Sequence, residues 1–373
     1  MDKIEIYIDE LLEKSTPDRP IWNIEKILQG LKSTWNYIDG CMIKAILEMY
    51  AITKDEKYFR FADNFIDCKV REDGSIEGYS VEELNIDNVN AGKTLFELYD
   101  LTGKEKYRKA IDLVYSQIEQ MPRTAEGNFW HKNIYPNQVW LDGLYMCQPF
   151  YMEYETRFHE KKNYDDIFRQ FFNVVEHMRD PKTGLYYHAY DSSREMFWCD
   201  KVTGLSQNFW LRALGWYSMA LLDTLDKADA SVGEPYERLK KVFVDLMDAM
   251  LKYQDASGMW YQVVNFGGME TSGSSIMAYA LLKGVRLGFL PENYQTYGAK
   301  AFHGICEKYL SEDADGSLHL DGICLVAGLG GKQMRSGTYD YYMSEPVVKD
   351  DAKGVGPFLL AYTEMRRAGL IEA

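Results

Sequence analysis

Six short segments, each built around a small residue that is usually glycine, recur along the 373 residues of this chain and carry Gly40, Gly92, Gly143, Gly215, Gly273 and Gly356. An apolar stretch of helical length follows each of them. Most of these stretches are followed in turn by a charged, amphipathic one. A unit repeated six times implies one closed architecture, because a single copy cannot bury its apolar face alone. The repeat also places the polar residues around each glycine at one end of that architecture, which is the end to search for chemistry.

The amphipathic stretches are illustrated by Tyr58, Phe61, Ala62, Phe65 and Ile66, which form a single helical stripe. Similar stretches follow Tyr107, Tyr164, Tyr236 and Tyr297. The stretches after the glycines, such as Gly215-Trp-Tyr-Ser-Met-Ala-Leu-Leu, are apolar nearly all round and must be buried all round. Inner, buried helices therefore alternate with outer, half-exposed ones. Pro149, inside the third inner helix, is expected to kink that helix or shift its start. The last inner helix is expected from Pro357, and the sixth outer helix from Ile4 to Leu12, closing a ring beside it.

A second element follows each outer helix, a glycine turn leading into a short extended piece. Its copies contain Gly74, Gly127, Gly184, Gly258 and Gly316, each where a turn needs positive φ. Six inner and six outer helices in alternation describe an all-α fold, the (α/α)6 toroid. Length alone would suggest two or three domains at about 100–150 residues each. No linker interrupts the repeat, so residues 1–373 are read as a single domain.

The formal net charge of −15 argues against nucleic acid and against a polybasic membrane contact as partners. It leaves room for a small anionic substrate if a local Arg or Lys overcomes the global field. No basic and apolar leader opens the chain, and no stretch approaches the ~18 apolar residues of a membrane span. The six cysteines are scattered without a Cys-x-x-Cys pair, so reduced thiols in a cytoplasmic protein are expected. The 28 Tyr and 8 Trp residues can cover sugar faces, although large helical cores also use them. Whether the protein acts as a monomer or a homodimer is left open at this level.

Within a toroid the inner helices run parallel, so their starts share one face with the extended pieces. That face gathers Tyr37, Asp39, Asp87, Asn90, Trp140, Asp142, Trp210, Arg212, Trp216 and Lys353 from the helix starts. The extended pieces add His131, Lys132, His188 and Gln262; His131, His188 and Gln262 each stand four residues after their turn glycine. Asp142, among Trp140 and Tyr145, fits a general acid if desolvation holds a proton on it, or else a helix cap. Asp87 would be a second carboxylate suited to glycosidic-bond chemistry, or again a cap. Arg212, flanked by Trp210 and Trp216, reads as a carboxylate clamp or as half of a buried ion pair. The two tryptophans fit either sugar platforms or core. His131 and His188 form too small a set for a metal and fit hydrogen bonding better.

At Asp142 the chain resembles a known family. The run Tyr135-Pro-Asn-Gln-Val-Trp-Leu-Asp-Gly-Leu-Tyr-Met is similar to the hallmark of unsaturated rhamnogalacturonyl hydrolases, glycoside hydrolase family 105, relatives of the unsaturated glucuronyl hydrolases. Gly127-Asn-Phe-Trp-His-Lys, Gly184-Leu-Tyr-Tyr-His-Ala-Tyr-Asp, Phe209-Trp-Leu-Arg-Ala-Leu-Gly-Trp-Tyr and Tyr339-Asp-Tyr-Tyr follow in the family's order. The resemblance implies hydration of the C4–C5 double bond that polysaccharide lyases leave at a non-reducing end. Asp142 would protonate C4 and then act as base toward the water. Asp87 would hold substrate hydroxyls and Arg212 the substrate's polar groups. Tyr37, His131, Lys132, His188, Trp210 and Trp216 would line the substrate, and no metal or organic cofactor is implied. Around Tyr37 the family is richer in His, and Lys353 stands where a His or neutral residue is familiar. The leaving sugar, rhamnose in the first reading, is therefore the open part. Glucuronyl substrates, a sugar isomerase using His131 and His188 with Asp142 structural, and a non-catalytic sugar-binding toroid are the other readings.

Overall fold

The computed structural model describes residues 3–264 and 266–371. Along the chain, outer helix α1 (Lys3–Glu13) is followed by the short α2 (Ile24–Gln29) and the first inner helix, α3 (Tyr37–Thr53). Outer and inner helices then alternate as α4 (Glu56–Asp67), α5 (Lys93–Thr102), α6 (Glu105–Gln120), α7 (Leu141–Phe158), α8 (Tyr164–Met178), α9 (Leu211–Lys227) and α10 (Glu234–Leu251). The last turn of the ring is α11 (Thr271–Arg286), α12 (Tyr294–Tyr309), the short α13 (Tyr339–Ser344) and α14 (Ala352–Arg367). Setting aside α2 and α13, this is the alternation expected for an (α/α)6 toroid. The inner helices pack in a closed circuit, α3 against the start of α5, then α7, α9, α11 and α14, with α14 returning to α3. Arg366 of α14 bonds Glu5 of α1 at 2.8 Å, so the N-terminal helix does stand beside the last inner one.

The repeated glycines do their work inside the ring. All but Gly92 fall within the first turns of their helices, where they let neighbouring inner segments approach. A Cβ on Gly40 would lie 2.7 Å from the Ala91 backbone, one on Gly356 2.9 Å from the Cys41 carbonyl, and one on Gly273 2.4 Å from Leu211. No side chain fits those gaps without displacing a neighbour. The turn glycines behave differently. Gly74, Gly127, Gly184, Gly258 and Gly316 all have φ between 79° and 100°, the region that L side chains avoid.

Two expectations need correction. The last inner helix starts at Ala352, with Asp351 capping the Lys353 amide, rather than at Pro357. Pro357 is the sixth residue of α14, so its missing N–H leaves the Lys353 carbonyl without an i→i−4 partner. Pro149 does not shift the start of α7, which begins at Leu141 and continues past it. The second inner helix departs in another way, since its first part, Ile86–Gly92, is a 3-10 segment. Asn88, Val89 and Asn90 are weak helix formers, and the Asn85 side chain accepts the Asp87 amide at 3.1 Å to start the tighter turn.

Short antiparallel ladders tie the extended pieces together on the rim. In strand β1 (Gln138–Trp140), Trp140 pairs with Ala189 of β2 (Ala189–Asp191). β3 (Tyr261–Val263) pairs with β4 (Phe266–Met269), and Val263 also bridges Trp210. One buried cluster runs through the described chain from Ile4 to Met365, at roughly 1.5–3 kcal/mol for each large apolar side chain removed from water.

Candidate active site

The register of β1 and β2 builds the centre of the site. With Trp140 opposite Ala189, the next amide, Leu141, donates to the His188 carbonyl at 3.1 Å. That brings the His188 ring to the start of α7, where its Nε2 lies 3.1 Å from Asp142 Oδ2. The contact is off the line of a good hydrogen bond, and both atoms are buried without another partner among the described residues. On its other side, His188 Nδ1 meets the Tyr342 hydroxyl at 2.7 Å. Gln262, at the equivalent repeat position, donates to the Tyr342 carbonyl at 2.8 Å and fixes that tyrosine from below. Asp142, His188 and Tyr342 therefore form a line from the cavity into the core.

His131, the third residue at that repeat position, stands between the two carboxylates. Its Nε2 is 3.5 Å from Asp87, and its Nδ1 packs so closely on Gly143 that a Cβ there would come within 2.8 Å. Burial pushes its pKa down to about 4, against the pull of Asp87, so it is neutral near pH 7. Burial acts to raise the Asp87 pKa, but Lys132 at 2.7 Å and His131 outweigh it and hold the carboxyl below its ordinary value. Asp87 is thus a fixed carboxylate. His131, Trp140 and Tyr135 stack face on face, with centroids 4.6 and 5.2 Å apart along the series.

These groups open on a cavity of about 210 Å³. Tyr37, Asp87, His131, Lys132, Asp142, Trp210, Arg212 and Trp216, all expected from sequence, line it. His188 does not; it is fully buried behind Asp142 and acts on the carboxyl rather than on the cavity. Lys353 does line it, bonded to Glu25 at 2.7 Å and to Asp351 at 2.9 Å. Asp39 is engaged elsewhere, accepting from Trp22, Asn23, Ser33 and Asn36 at the cap of α3. Arg212 lines the cavity but is not a free clamp. It donates to Ser272 at 2.7 Å and to the carbonyls of Leu325 and Cys324, and lies 3.7 Å from Glu270. Of the two expectations for it, the buried pairing is the one these contacts match. Trp216 lies against Tyr145, centroids 5.0 Å apart, and closes the cavity floor.

Sequence reasoning missed Glu25, Arg335 and Tyr342 as site residues. Glu25 sits on α2 and Arg335 in the connection before α13, both outside the repeat. Tyr342 had a signal, the Tyr339-Asp-Tyr-Tyr run, without an indication that its last ring reaches His188. Among the described residues, no group of three or more His, Cys, Asp or Glu side chains is arranged to hold a metal ion, and no helix is long and apolar enough to cross a membrane.

Comparison with known proteins identifies the class as glycoside hydrolase. The family model described as Glycosyl Hydrolase Family 88 matches residues 13–368, and the chain belongs to that family. A solved family 105 glycoside hydrolase from C. acetobutylicum is 44% identical, covering 98% of this chain and 100% of that one, with a TM-score of 0.91. Protein Atu3128 of Agrobacterium fabrum is 39% identical over 232 residues, which is 59% of this chain and 97% of that protein. The unsaturated rhamnogalacturonyl hydrolase YesR of Bacillus subtilis is 26% identical over 291 residues, 76% of this chain and 79% of its own. The sugar-isomerase and non-catalytic readings are set aside by this membership.

Proposed function

We propose that the protein removes a 4,5-unsaturated uronic acid, in the first place unsaturated galacturonate linked to rhamnose, from the non-reducing end of lyase-generated rhamnogalacturonan disaccharides. The observation that carries the reading is Asp142, a cavity-facing carboxyl with one buried, unbonded oxygen 3.1 Å from His188. The similarity to YesR supports the sugar.

In the reaction, Asp142 transfers its proton to C4 of the enol ether, and positive charge develops at C5, shared with the ring oxygen. Asp142, now a carboxylate, accepts a proton from water as the oxygen adds to C5. The resulting hemiketal opens to a C5 ketone. C1 is left bearing a hydroxyl and the second sugar, and it releases that sugar as an alcohol while becoming an aldehyde. One water is consumed overall.

The His188–Tyr342 contact suits both protonation states. With Nδ1 donating to Tyr342, Nε2 offers a lone pair to protonated Asp142. With Tyr342 donating to Nδ1, the Nε2 hydrogen faces the Asp142 carboxylate. Asp87, kept ionised by Lys132, accepts from substrate hydroxyls. Trp210 and Trp216 provide flat apolar faces for the ring. The scattered cysteines, with no Cys-x-x-Cys pair, fit a reducing compartment, and we place the enzyme in the cytoplasm.

The test is to incubate the protein with unsaturated disaccharides ending in rhamnose, galacturonate or amino sugars and follow the ultraviolet absorbance of the conjugated enol ether. Loss with the rhamnose-linked substrate is expected, with deuterium at C4 of the product in heavy water. Unchanged absorbance with every unsaturated uronide would overturn the activity; faster loss with amino-sugar disaccharides would move the substrate to glycosaminoglycans.

A further inference from the structure

A uronate substrate brings one negative charge into a protein whose own net charge is −15. The cavity answers with four cations, Lys132, Arg212, Arg335 and Lys353, facing three carboxylates, Glu25, Asp87 and Asp142. The cations are not equally available. Lys132 is held by Asp87 at 2.7 Å. Lys353 is held by Glu25 at 2.7 Å and Asp351 at 2.9 Å. Arg212 is buried among Ser272, two backbone carbonyls and Glu270. A carboxylate arriving at any of these three would meet a cation whose charge is already shared with a protein carboxylate.

Arg335 differs. Among the described residues its guanidinium makes no ion pair, and its hydrogen-bond partners are a carbonyl and a hydroxyl. Glu345 feels its charge without pairing with it. Its Nε donates to the Gly330 carbonyl at 3.3 Å and its Nη2 to the Tyr135 hydroxyl at 3.2 Å. Nη1 has no hydrogen-bond partner among the described residues, and Nη2 keeps a second hydrogen.

The surrounding chain fixes this guanidinium in place. Gly330 and Arg335 exchange backbone hydrogen bonds, at 2.8 and 3.1 Å, across a turn in which Gly330 and Gly331 have φ of 63° and 70°. A Cβ on Gly328 would lie 2.6 Å from Nη1, 2.7 Å from Cζ and 2.9 Å from Nη2, so glycine there is what lets the guanidinium lie against the chain. Tyr135, which holds Nη2, stacks on Trp140, and Trp140 is two residues before Asp142. The cation is thereby positioned relative to the acid through a rigid aromatic pair. A planar fork with free N–H groups matches a carboxylate better than an ammonium does.

We infer that Arg335, rather than Arg212, is the receptor for the substrate carboxylate and makes the enzyme select a free uronate over its ester. The inference rests on the unsaturated-uronide reading above. It predicts that wild-type protein favours the free acid of an unsaturated disaccharide over its C6 methyl ester by about 10- to 100-fold in kcat/KM. Arg335→Ala should lose about that factor on the acid and stay within about threefold on the ester, so the preference collapses toward one. Arg335→Lys should recover only part of it, because a point charge lacks the fork. Arg335→Gln, neutral but still able to bond the Gly330 carbonyl, should match the Ala variant, and it serves as the reading if the Ala variant does not fold.

The measurement is the rate of absorbance loss for both substrates with each variant, alongside thermal melting to check the fold. A wild-type enzyme that does not discriminate acid from ester overturns the inference. So does a folded Arg335→Ala or Arg335→Gln variant that keeps the full preference. Both results leave the hydrolase reading standing. A wild-type protein that consumes neither substrate removes the hydrolase reading, and the receptor assignment falls with it.

Discussion

Two cavities among the described residues lie on either side of the stacked Tyr145 and Trp216 rings, and the larger of the two is not the proposed active site. The cavity toward the C-terminal ends of the inner helices is about 300 Å³, against about 210 Å³ at the mouth that holds Asp142. It is also rich in charge, but there the carboxylates are already matched. Lys44 holds Glu48 and Glu97, Lys283 holds Asp223 and Asp226, and Arg157 holds Asp100 and, with Lys227, Glu153. At the smaller cavity, Asp142 Oδ2, His188 Nε2, His131 Nδ1 and Trp210 Nε1 are buried without hydrogen bonds among the described residues. Asp142 Oδ2 and His188 Nε2 stand 3.1 Å apart off the line of a hydrogen bond, and on the proposed reading this is the pair that handles the proton.

If the contrast is right, substitutions at the two ends should fail differently. The largest effect is expected from Asp142→Asn, which should lower kcat by about 10³-fold while moving the melting temperature by no more than about 3 °C. Near-normal turnover would take the acid role from Asp142. At the other end, Lys283→Ala leaves Asp223 and Asp226 facing each other and should cost about 3 kcal/mol of stability in a urea titration. Its kcat in the native protein should stay within about twofold. A large rate effect with little destabilisation would dissolve the distinction between the ends.

Lys93 gives a smaller test with a pH signature. It lies in the far cavity, donating to the Tyr145 carbonyl at 2.6 Å, and burial pushes its pKa down to about 7. The unfolded chain holds that proton up to about pH 10.4. Below pH 7 both states are charged, and the cost of burying the ammonium is felt in full. As the pH rises from 7 toward 10, the folded state alone has lost the proton and the cost is relieved. Lys93→Met should therefore stabilise the protein by about 2 kcal/mol at pH 6, with the gain shrinking toward pH 10. A gain that grew with pH would reverse the assignment. The smallest expected effect is about tenfold in kcat from Tyr342→Phe, with KM little changed, since only the hydroxyl on His188 Nδ1 is removed. An unaltered rate would make the Asp142–His188–Tyr342 line structural.

How much of this was legible beforehand depended on whether a residue lay on the repeat. Asp87, His131, Asp142 and Trp210 occupy repeat positions, and periodicity alone brought them to one face. Asp39 occupies such a position too, yet its carboxylate turns to Trp22, Asn23 and Ser33, because a side-chain rotamer is chosen by local partners. Glu25 and Arg335 lie in connections without periodicity, and nothing in their spacing indicates the cavity. Arg212 was placed on the correct face but given a freedom that Ser272 and the carbonyls of Cys324 and Leu325 remove.

The sequence by itself determined the ring. Helical period, turn glycines and six small residues at inner-helix starts are local properties, and local properties repeat along the chain. The family resemblance added the expectation that Asp142 is the acid. Only the tertiary structure decided which charges are free. That Lys132 is bound to Asp87, that Lys353 is bound to Glu25, and that Arg335 keeps open N–H groups are matters of distance between segments far apart in sequence. Coulombic and hydrogen-bond energies fall off over a few ångströms, and separations that fine are set only when the ring has closed.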